Sequence, residues 1–355
     1  ARRSMAETRR RLGGGPHLVS VFLELDDPWS YLLAHYLPEL AACYDIELRI
    51  YLTQACGDEA FRPQPELLAM HADEDCSRVA AELGIPFLDK GAAPPVEHRR
   101  ALIDSLAAIA DSPGFDDEAL EAMTAYWRGD TAGVERRLAA SGRGGDAMLA
   151  ANELRLIELG HYNSATLHYA GEWYWGVDRL PYLVERLDQL GTRRADAATQ
   201  SLASIRQVMQ LSLPVRPPGA AADLPPLELF FSFRSPYSYL ALSRVFAIAD
   251  AFGLRLVVRP VLPMVMRGMQ VPRAKLAYIA MDTAREARRL GAAAQDRGHP
   301  PRPAAVHADA DGIRRVSRWE GGQGWASPPI RTPRSRSRCG PGPRRGRGPR
   351  PGSSG

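Results

Sequence analysis

Two stretches of this chain share one pattern, and that pattern constrains the fold more than any other feature. VFLELDDPWSYLLAHYLPELAACYDIELRIYL, near the start, aligns without a gap with LFFSFRSPYSYLALSRVFAIADAFGLRLVVRP, after residue 228. Pro28 matches Pro236 and Tyr31 matches Tyr239, at a constant offset of 208 residues. In each copy an apolar run of strand formers stops at a polar dipeptide, and a proline then opens a stretch of helical periodicity that leads to a second apolar run. Each copy therefore predicts a strand–helix–strand unit that seeds its own α/β domain.

Length, hydropathy and cysteine usage set the broad class. A chain of 355 residues predicts two to three domains. No uninterrupted apolar run approaches the roughly 18 residues that span a bilayer, because charges such as Glu24, Arg255 and Arg259 interrupt the longest candidates. The four cysteines lie far apart and form no C-x-x-C pair, which favours a reducing compartment and argues against disulfides or a zinc site. We therefore expect a cytoplasmic protein without a membrane partner, with residues 1–16 as a basic, disordered leader.

The end of the chain differs from the rest in charge and composition. From Gly291 onward there are 13 Arg, no Lys and 4 acidic residues, so the preceding chain carries roughly −5 of the total charge of +4. The chain before Gly291 therefore lacks the positive net charge that is typical of nucleic-acid-binding domains. Roughly a third of residues 291–355 are Gly or Pro, and apolar periodicity is lost. We therefore expect residues 292–355 to be a disordered Arg/Pro/Gly-rich tail.

Three explanations of this tail stay open. It is an Arg-rich segment that binds nucleic acid non-specifically, a plain spacer, or a stretch that does not naturally continue the second domain. We prefer the third, because the helical pattern KLAYIAMDTAREARRLG runs up to Gly291 and the folding pattern then stops before the second domain is complete. A reading-frame change in a GC-rich gene would leave this signature.

The first domain can be followed to its end over residues 17–192. After its second strand come four stretches with helical spacing: PELLAMHADEDCSRVAAELG, EHRRALIDSLAAIADS, DDEALEAMTAYWRG and GDAMLAANELRLIELG. SATLHYAGEWYWG then predicts a hairpin around Ala170-Gly171, and DRLPYLVERLDQLG predicts a closing helix. The order is β-α-β, helical insertion, β-β-α. Residues 193–226 look like a helix followed by a Pro/Ala linker.

This arrangement resembles the DsbA-like thioredoxin-fold family. FSFRSPYSYLALS with the later PRAKLAYIAMDTAREARRLG, and GEWYWGVDRLPYLVERL in the first domain, resemble its branch of 2-hydroxychromene-2-carboxylate isomerases and kappa-class glutathione transferases. The resemblance covers 17–192 in full and 227–291 as the front half of a second domain. It implies an α/β protein with tandem thioredoxin-like domains, a helical insertion, a truncated second domain, and a thiol borrowed from glutathione as cofactor. The substrate would be a small electrophilic or aromatic compound.

The helix opening of the second copy is the candidate catalytic centre. Where redox-active relatives carry C-x-x-C, this chain has Ser235-Pro236-Tyr237-Ser238, so thiol–disulfide exchange by its own side chains is excluded there. The resemblance places the glutathione sulfur beside Ser235, with Pro236, Tyr237 and Ser238 as binding residues. The Ser235 hydroxyl would donate a hydrogen bond to the thiolate, and the helix N-terminus would add positive charge. The alternative is that Ser235 only caps the helix, as Ser before Pro commonly does.

The first copy departs from the family pattern at two places. Asp27 stands where Ser235 stands in the second copy; an ionised Asp caps a helix but repels a thiolate, so its role should be structural. The resemblance puts the backbone edge that binds the glutathione cysteinyl group at Thr166, but Ala165 replaces the proline that the family carries there. Asp178 matches the family acid that holds the γ-glutamyl amine, and the cap of the last helix is the alternative.

The second copy lacks the rest of a site. Neither the proline-containing hairpin nor W-G-x-D-R-L is visible after Gly291, and Lys275, Asp282, Arg285 and Arg288 are interpreted as a solvated helix face. Two functions remain. One is a glutathione-dependent isomerase or transferase with Ser235 as the thiolate donor. The other is a non-catalytic or degenerate thioredoxin-fold binding module.

Overall fold

The computed structural model describes residues 2–54, 56–58, 60–87, 96–138, 143–197, 200–210, 213 and 224–291. It begins with helix α1 (Arg2–Gly13), so the expectation of a disordered leader over 1–16 is wrong for most of that segment. Glu7 forms ion pairs with Arg10 and Arg11, three and four residues along the helix. Such pairs stabilise a helix. Arg3 also forms an ion pair with Glu172, which connects α1 to the rest of the fold.

The first copy folds as the strand–helix–strand unit that its sequence predicts. Its elements are β1 (Leu18–Glu24), α2 (Pro28–Ala34), α3 (Leu37–Cys43) and β2 (Glu47–Thr53). The predicted single helix is split in two because Pro38 has no N–H and cannot continue α2. β1 and β2 pair in parallel, with Val19 opposite Leu48 and Val21 opposite Ile50.

The described residues of the helical insertion form five helices, four of which were predicted. They are α4 (Pro65–Leu83), α5 (Val96–Ala107), α6 (Phe115–Trp127), α7 (Thr131–Leu138) and α8 (Gly145–Leu159). The unpredicted one, α7, spans eight residues and is held by packing, because Val134 is buried in the main core. Trp127 at the end of α6 donates its indole N–H to Leu25 O at 2.9 Å, which fixes the insertion to the end of β1.

A hairpin and a helix close the first copy. They are β3 (Thr166–Tyr169), β4 (Glu172–Trp175), a 3₁₀ turn (Val177–Arg179) and α9 (Leu180–Gln189). β3 is antiparallel to both β1 and β4, and the sheet order is β2-β1-β3-β4. The turn residues Ala170 and Gly171 both have positive φ, as a tight two-residue hairpin requires. This mixed sheet with its helices is consistent with a thioredoxin-like fold.

The second copy repeats the opening of the first. After α10 (Gln200–Val208) come β5 (Leu227–Phe231), α11 (Pro236–Phe252), β6 (Leu256–Pro260) and α12 (Arg273–Arg289). β5 and β6 are parallel, and Leu227 faces Leu256, which is the Val19–Leu48 pairing moved by the repeat offset. In the described part of the chain this sheet has two strands. The predicted tail over 292–355 and most of the predicted linker lie outside the described residues.

Helix α12 packs on the first copy, which corrects the interpretation of its charged residues as a solvated face. Tyr278 is buried against Phe22, Tyr51, Leu156 and Trp173 of the first copy. Asp282 and Arg285 are 1% and 5% exposed, and Lys275 donates to the carbonyl oxygens of Ala60 and Phe61 at 3.1 and 3.2 Å. Arg288 is exposed as expected.

Among the residues described, no helix is both long and apolar enough to cross a membrane.

Candidate functional site

The helix opening of the second copy is organised around the Ser235 side chain. Ser235 is the N-cap of α11, with extended backbone angles, and its Oγ accepts a hydrogen bond from Ser238 N at 3.2 Å. Ser238 Oγ in turn accepts from Ser232 N at 3.4 Å. The capping role of Ser235 is therefore present, and its hydroxyl hydrogen remains available for donation, because the cap uses only the oxygen as acceptor.

The first copy builds the same opening with an acid. Asp27 caps α2 through Oδ2, which accepts from Ser30 N at 3.0 Å, and Ser30 Oγ accepts from Glu24 N at 3.0 Å. Each of these bonds corresponds to one in the second copy at the repeat offset. The expected structural role of Asp27 is thus confirmed by its contacts.

Glu24 and Asp27 form a buried acidic pair behind this opening. Ser164 Oγ lies 3.2 Å from a carboxylate oxygen of each, and Arg62 is 3.8 Å from Glu24. Burial, together with the charges of Asp27 and Asp26, raises the pKa of Glu24 to about 8. Burial also raises the pKa of Asp27. This acidic pair supplies no positive charge that would stabilise a nearby thiolate.

A cavity of about 680 Å³ lies where the two copies meet. Trp29 and Tyr237 both line it, and they occupy the same position in the two copies, directly after the helix-opening proline. Further walls come from α4, α10, α11, α12 and the segment around the 3₁₀ turn, including Val79, Ile205, Met209, Trp175 and Arg244. Its lining combines apolar and aromatic side chains with seven charged ones.

The polar side of the cavity is an ion-pair network between the copies. Arg179 holds Asp282 with two hydrogen bonds of 2.8 and 2.9 Å, and the Tyr237 hydroxyl donates to Asp282 Oδ2 at 2.8 Å. Burial alone would raise the pKa of Asp282, but hydrogen bonds from Arg179 and Tyr237 and the charge of Arg285 bring it below its usual value. Burial, together with the charge of Asp282, raises the pKa of Tyr237. The network thus holds Tyr237 as a neutral donor.

Asp178 is the acid that faces this cavity most openly. Its side chain is 53% exposed and pairs with the neighbouring Arg179. The cap position of α9 is occupied by Arg179, and no side chain caps that helix. The alternative role of Asp178 as the cap of α9 is therefore wrong. Gly176 makes room for the acid: its φ is 93°, and a Cβ there would lie 2.8 Å from Asp178 Oδ1.

The structure brings together some of the sequence-predicted site residues and separates others. Tyr237 and Asp178 line the cavity, whereas Ser235, Pro236 and Ser238 are not among its lining residues. Thr166 is fully buried, and its hydroxyl donates to Tyr174 O at 3.3 Å inside the hairpin.

The edge at Ala165 is built without a proline. Ala165 takes the left-handed conformation with φ 54°, and its carbonyl accepts from Gly176 N at 2.8 Å. This bond links the edge to the Gly176–Asp178 segment of the cavity wall.

Among the cavity residues that sequence reasoning missed are Trp29, Arg179 and Arg244. A signal existed for Trp29, since the repeat aligns it with the predicted site residue Tyr237. Arg179 lies inside the quoted W-G-V-D-R-L string, but its partner Asp282 is 103 residues away, which no local pattern reveals.

Comparisons with known proteins give a likeness to solved structures but to no described family. No protein-family model matches the chain, and no curated protein matches it. A solved 2-hydroxychromene-2-carboxylate isomerase has 19% sequence identity, covers 49% of this chain and 95% of its own, and superposes with a TM-score of 0.38. A superposition this loose carries no argument about activity, so any functional conclusion has to come from the residues.

Proposed function

We propose that this chain is a tandem thioredoxin-fold protein of the DsbA-like kind that binds glutathione in the cavity between its two copies. Its activity would be that of an isomerase or transferase acting on small electrophilic or aromatic compounds. The observation that carries the proposal is the convergence of Trp29 and Tyr237, the equivalent residues of the two helix openings, on one cavity. A tripeptide thiol fits a space of about 680 Å³.

The charges around the cavity suit the two ends of glutathione. The half-exposed Asp178 carboxylate offers a partner for the γ-glutamyl amine. Arg244, on α11, offers a guanidinium for a ligand carboxylate. The rings of Trp29 and Trp175 supply apolar surface for the rest of the ligand or for an aromatic substrate.

The thiolate chemistry belongs to the second copy. Ser235 retains a hydroxyl hydrogen, and α11 is a 17-residue helix whose N-terminus adds partial positive charge. Asp27 caps the shorter helix α2, and its Oδ2 accepts hydrogen bonds from Ser30 N and Ser30 Oγ instead of donating one. In the isomerase reaction the thiolate would add to an electrophilic carbon of a conjugated double bond, the bond would rotate, and the thiolate would leave. Glutathione would be regenerated without a further reactant.

The second candidate is a non-catalytic binding module. The observation in its favour is that Ser235 Oγ already caps α11 and that Ser235 does not line the cavity. Such a module would bind a small molecule at Asp178 and Tyr237 without activating a thiol.

Replacing Ser235 by Ala separates the two candidates. As a thiolate donor, Ser235 contributes one charge-assisted hydrogen bond, so the Ala variant should raise the pKa of bound glutathione and slow its attack on an electrophile by about tenfold or more. As a cap alone, it should cost about 1 kcal/mol of stability and leave the thiol unchanged. Thiolate absorbance titration and thermal melts measure the two effects.

Two further variants complete the design. Ser243→Ala changes an exposed serine of the same helix and should alter neither quantity. Asp178→Asn should weaken glutathione binding, measured by calorimetry and by the fluorescence of Trp29 and Trp175. Unchanged binding in Asp178→Asn, or no glutathione binding at all by the full chain, would overturn the proposal.

A further inference from the structure

A second cavity, of about 470 Å³, is lined by an unusual concentration of arginines. Arginines from four helices line it: Arg3, Arg186, Arg206, Arg285, Arg288 and Arg289. Among the described lining residues Glu185 is the one acid. This cavity adjoins the first at Met209 and Arg289 but contains neither Asp178 nor Tyr237.

Part of this positive charge is already neutralised by neighbouring acids. Arg3 pairs with Glu172 at 2.9 Å, Arg289 with Glu286 at 2.7 Å, and Arg285 with Asp282 at 3.6 Å. Arg186 and Arg288 form no ion pair with any residue in the part of the chain that the structure describes. The cavity therefore keeps an excess of guanidinium charge.

Arg285 is held in a fixed position in the wall. It is 5% exposed, its guanidinium lies 4.4 Å from the Tyr174 ring centroid and 5.2 Å from that of Tyr182, and Nη1 donates to Trp173 O at 3.1 Å. Its Nη2 is buried and has no hydrogen-bond partner in the described structure. An unsatisfied buried donor costs free energy, and the Arg285 guanidinium adds its positive charge to the cavity wall.

We propose that this arginine-lined cavity binds the diphosphate group of a small phosphorylated molecule. One guanidinium group can donate two parallel hydrogen bonds to the oxygens of a phosphate. The cavity has more guanidinium groups than one carboxylate or one phosphate can contact. The Tyr182 ring and the amides of Gln189 and Gln210 lie in the same wall and would contact the rest of an ester such as a nucleoside diphosphate. The site is separate from the proposed glutathione site, so either can fail without the other.

Calorimetric titration of the full chain with inorganic pyrophosphate, at fixed low ionic strength, tests this site. The variant Arg186→Glu/Arg288→Glu changes two cavity arginines that have no ion pair to lose. It should bind pyrophosphate about 100-fold more weakly, because each charge-assisted contact contributes about tenfold or more. The control Arg136→Glu/Arg143→Glu makes the same charge change at exposed positions outside the cavity and should stay within about threefold of the unmodified chain.

The 13 arginines of residues 291–355 are present in every variant, so binding to them is a shared background. Equal losses in the cavity and control variants, or no saturable binding of pyrophosphate, would overturn the proposal. A measurement without mutation repeats the test: pyrophosphate should protect Arg186, Arg206 and Arg288 from phenylglyoxal, read by mass spectrometry, and unchanged modification would also overturn it. Adenosine diphosphate binding more tightly than pyrophosphate would show that the ester is recognised, and weaker binding would restrict the site to free diphosphate.

Discussion

Helices α2 and α11 open in the same way but have different surroundings. Asp27 and Ser235 each cap their helix, and the serine three residues later accepts the same backbone N–H in both copies. In the first copy the opening sits on a four-stranded sheet, and Ser30 is fully buried. In the second it sits on two described strands, and Ser238 is half-buried.

This difference shows that the shape of the motif and its chemistry are set by separate residues. Backbone hydrogen bonds, the proline and a short polar cap are enough to fix the shape, because Asp and Ser cap helices about equally well. The chemistry depends on the cap atom itself and on its neighbours: an acidic pair in the first copy, and a neutral hydroxyl in the second.

The largest expected effect tests whether the second copy depends on the first for its stability. Asp282→Ala removes the carboxylate that accepts two hydrogen bonds from Arg179 and one from Tyr237, and leaves Arg179 with its ion pairs to Asp178 and Glu286. Losing these buried hydrogen bonds should cost about 3–5 kcal/mol and release α12 from the first copy. Hydrogen exchange of α11 and α12 measures this. Asp250→Ala, at an exposed position on α11, is the control and should change exchange little. Full protection of α12 in Asp282→Ala would show that the second copy is stable by itself.

A proline exchange tests why one copy has two short helices and the other a single long one. Phe246 lies at the position of Pro38 at the repeat offset, inside α11. Phe246→Pro should cost about 3 kcal/mol, because the ring removes a helical hydrogen bond and clashes with the preceding turn. Pro38→Ala changes an exposed residue in the first turn of α3 and should cost less than about 1 kcal/mol. Equal losses in urea unfolding would contradict this account.

The acidic pair should give the first copy a pH dependence that the second lacks. Because the pKa of Glu24 is about 8 when folded and about 4.5 otherwise, the folded chain binds a proton that the unfolded chain has lost. The contribution of protonated Glu24 to the free energy of unfolding is complete below about pH 4.5 and is lost as the pH rises toward 8. Glu24→Gln should remove this loss of stability between these limits.

Melting temperature against pH measures this loss. The exposed Glu158→Gln variant is the control and should follow the unmodified chain. An unchanged slope in Glu24→Gln would mean that another group titrates in this window. Ser232, at the equivalent position of the second copy, does not titrate there.

Exchanging the caps should have the smallest effect on stability and the clearest effect on chemistry. Asp27→Ser and Ser235→Asp should each change the free energy of unfolding by less than about 0.5 kcal/mol. Asp27→Ser should also lower the pKa of Glu24, because the Asp27 charge is one of the causes that raise it. Ser235→Asp should abolish any thiolate stabilisation of glutathione. A loss of several kcal/mol from either exchange would show that the two openings are not interchangeable.

The sequence predicted the parts of this fold that depend on local order. The strand–helix–strand copies, the hairpin at Ala170-Gly171 and four insertion helices follow from periodicity and turn chemistry, which act over a few residues. Helix α1 was missed because a polar, basic stretch looks like a leader unless its ion pairs are counted. Helix α7 was missed because eight residues that include Gly133 carry too little pattern.

The candidate site could be predicted only in part, because distant segments build it. Tyr237 and Asp178 were named from a resemblance in sequence, but nothing in the sequence joins them across one cavity. The charges of α12 show the same limit, since helical spacing of acids and arginines looks alike in water and in a buried network. Opposite charges on another segment, here Arg179, decide which of the two occurs.

The equal register of the two sheets has a consequence for how the chain folds. Strand β1 can accept β6 on the edge where β2 belongs, because Leu256 and Val258 match Leu48 and Ile50 in size and spacing. Such a mispaired intermediate would slow folding. The last residue of β6 opposes this mispairing. It is Pro260, at the position of Leu52 in β2, and a proline has no N–H to donate to a neighbouring strand. We therefore expect this one proline to keep the wrong pairing short-lived while both copies are still forming.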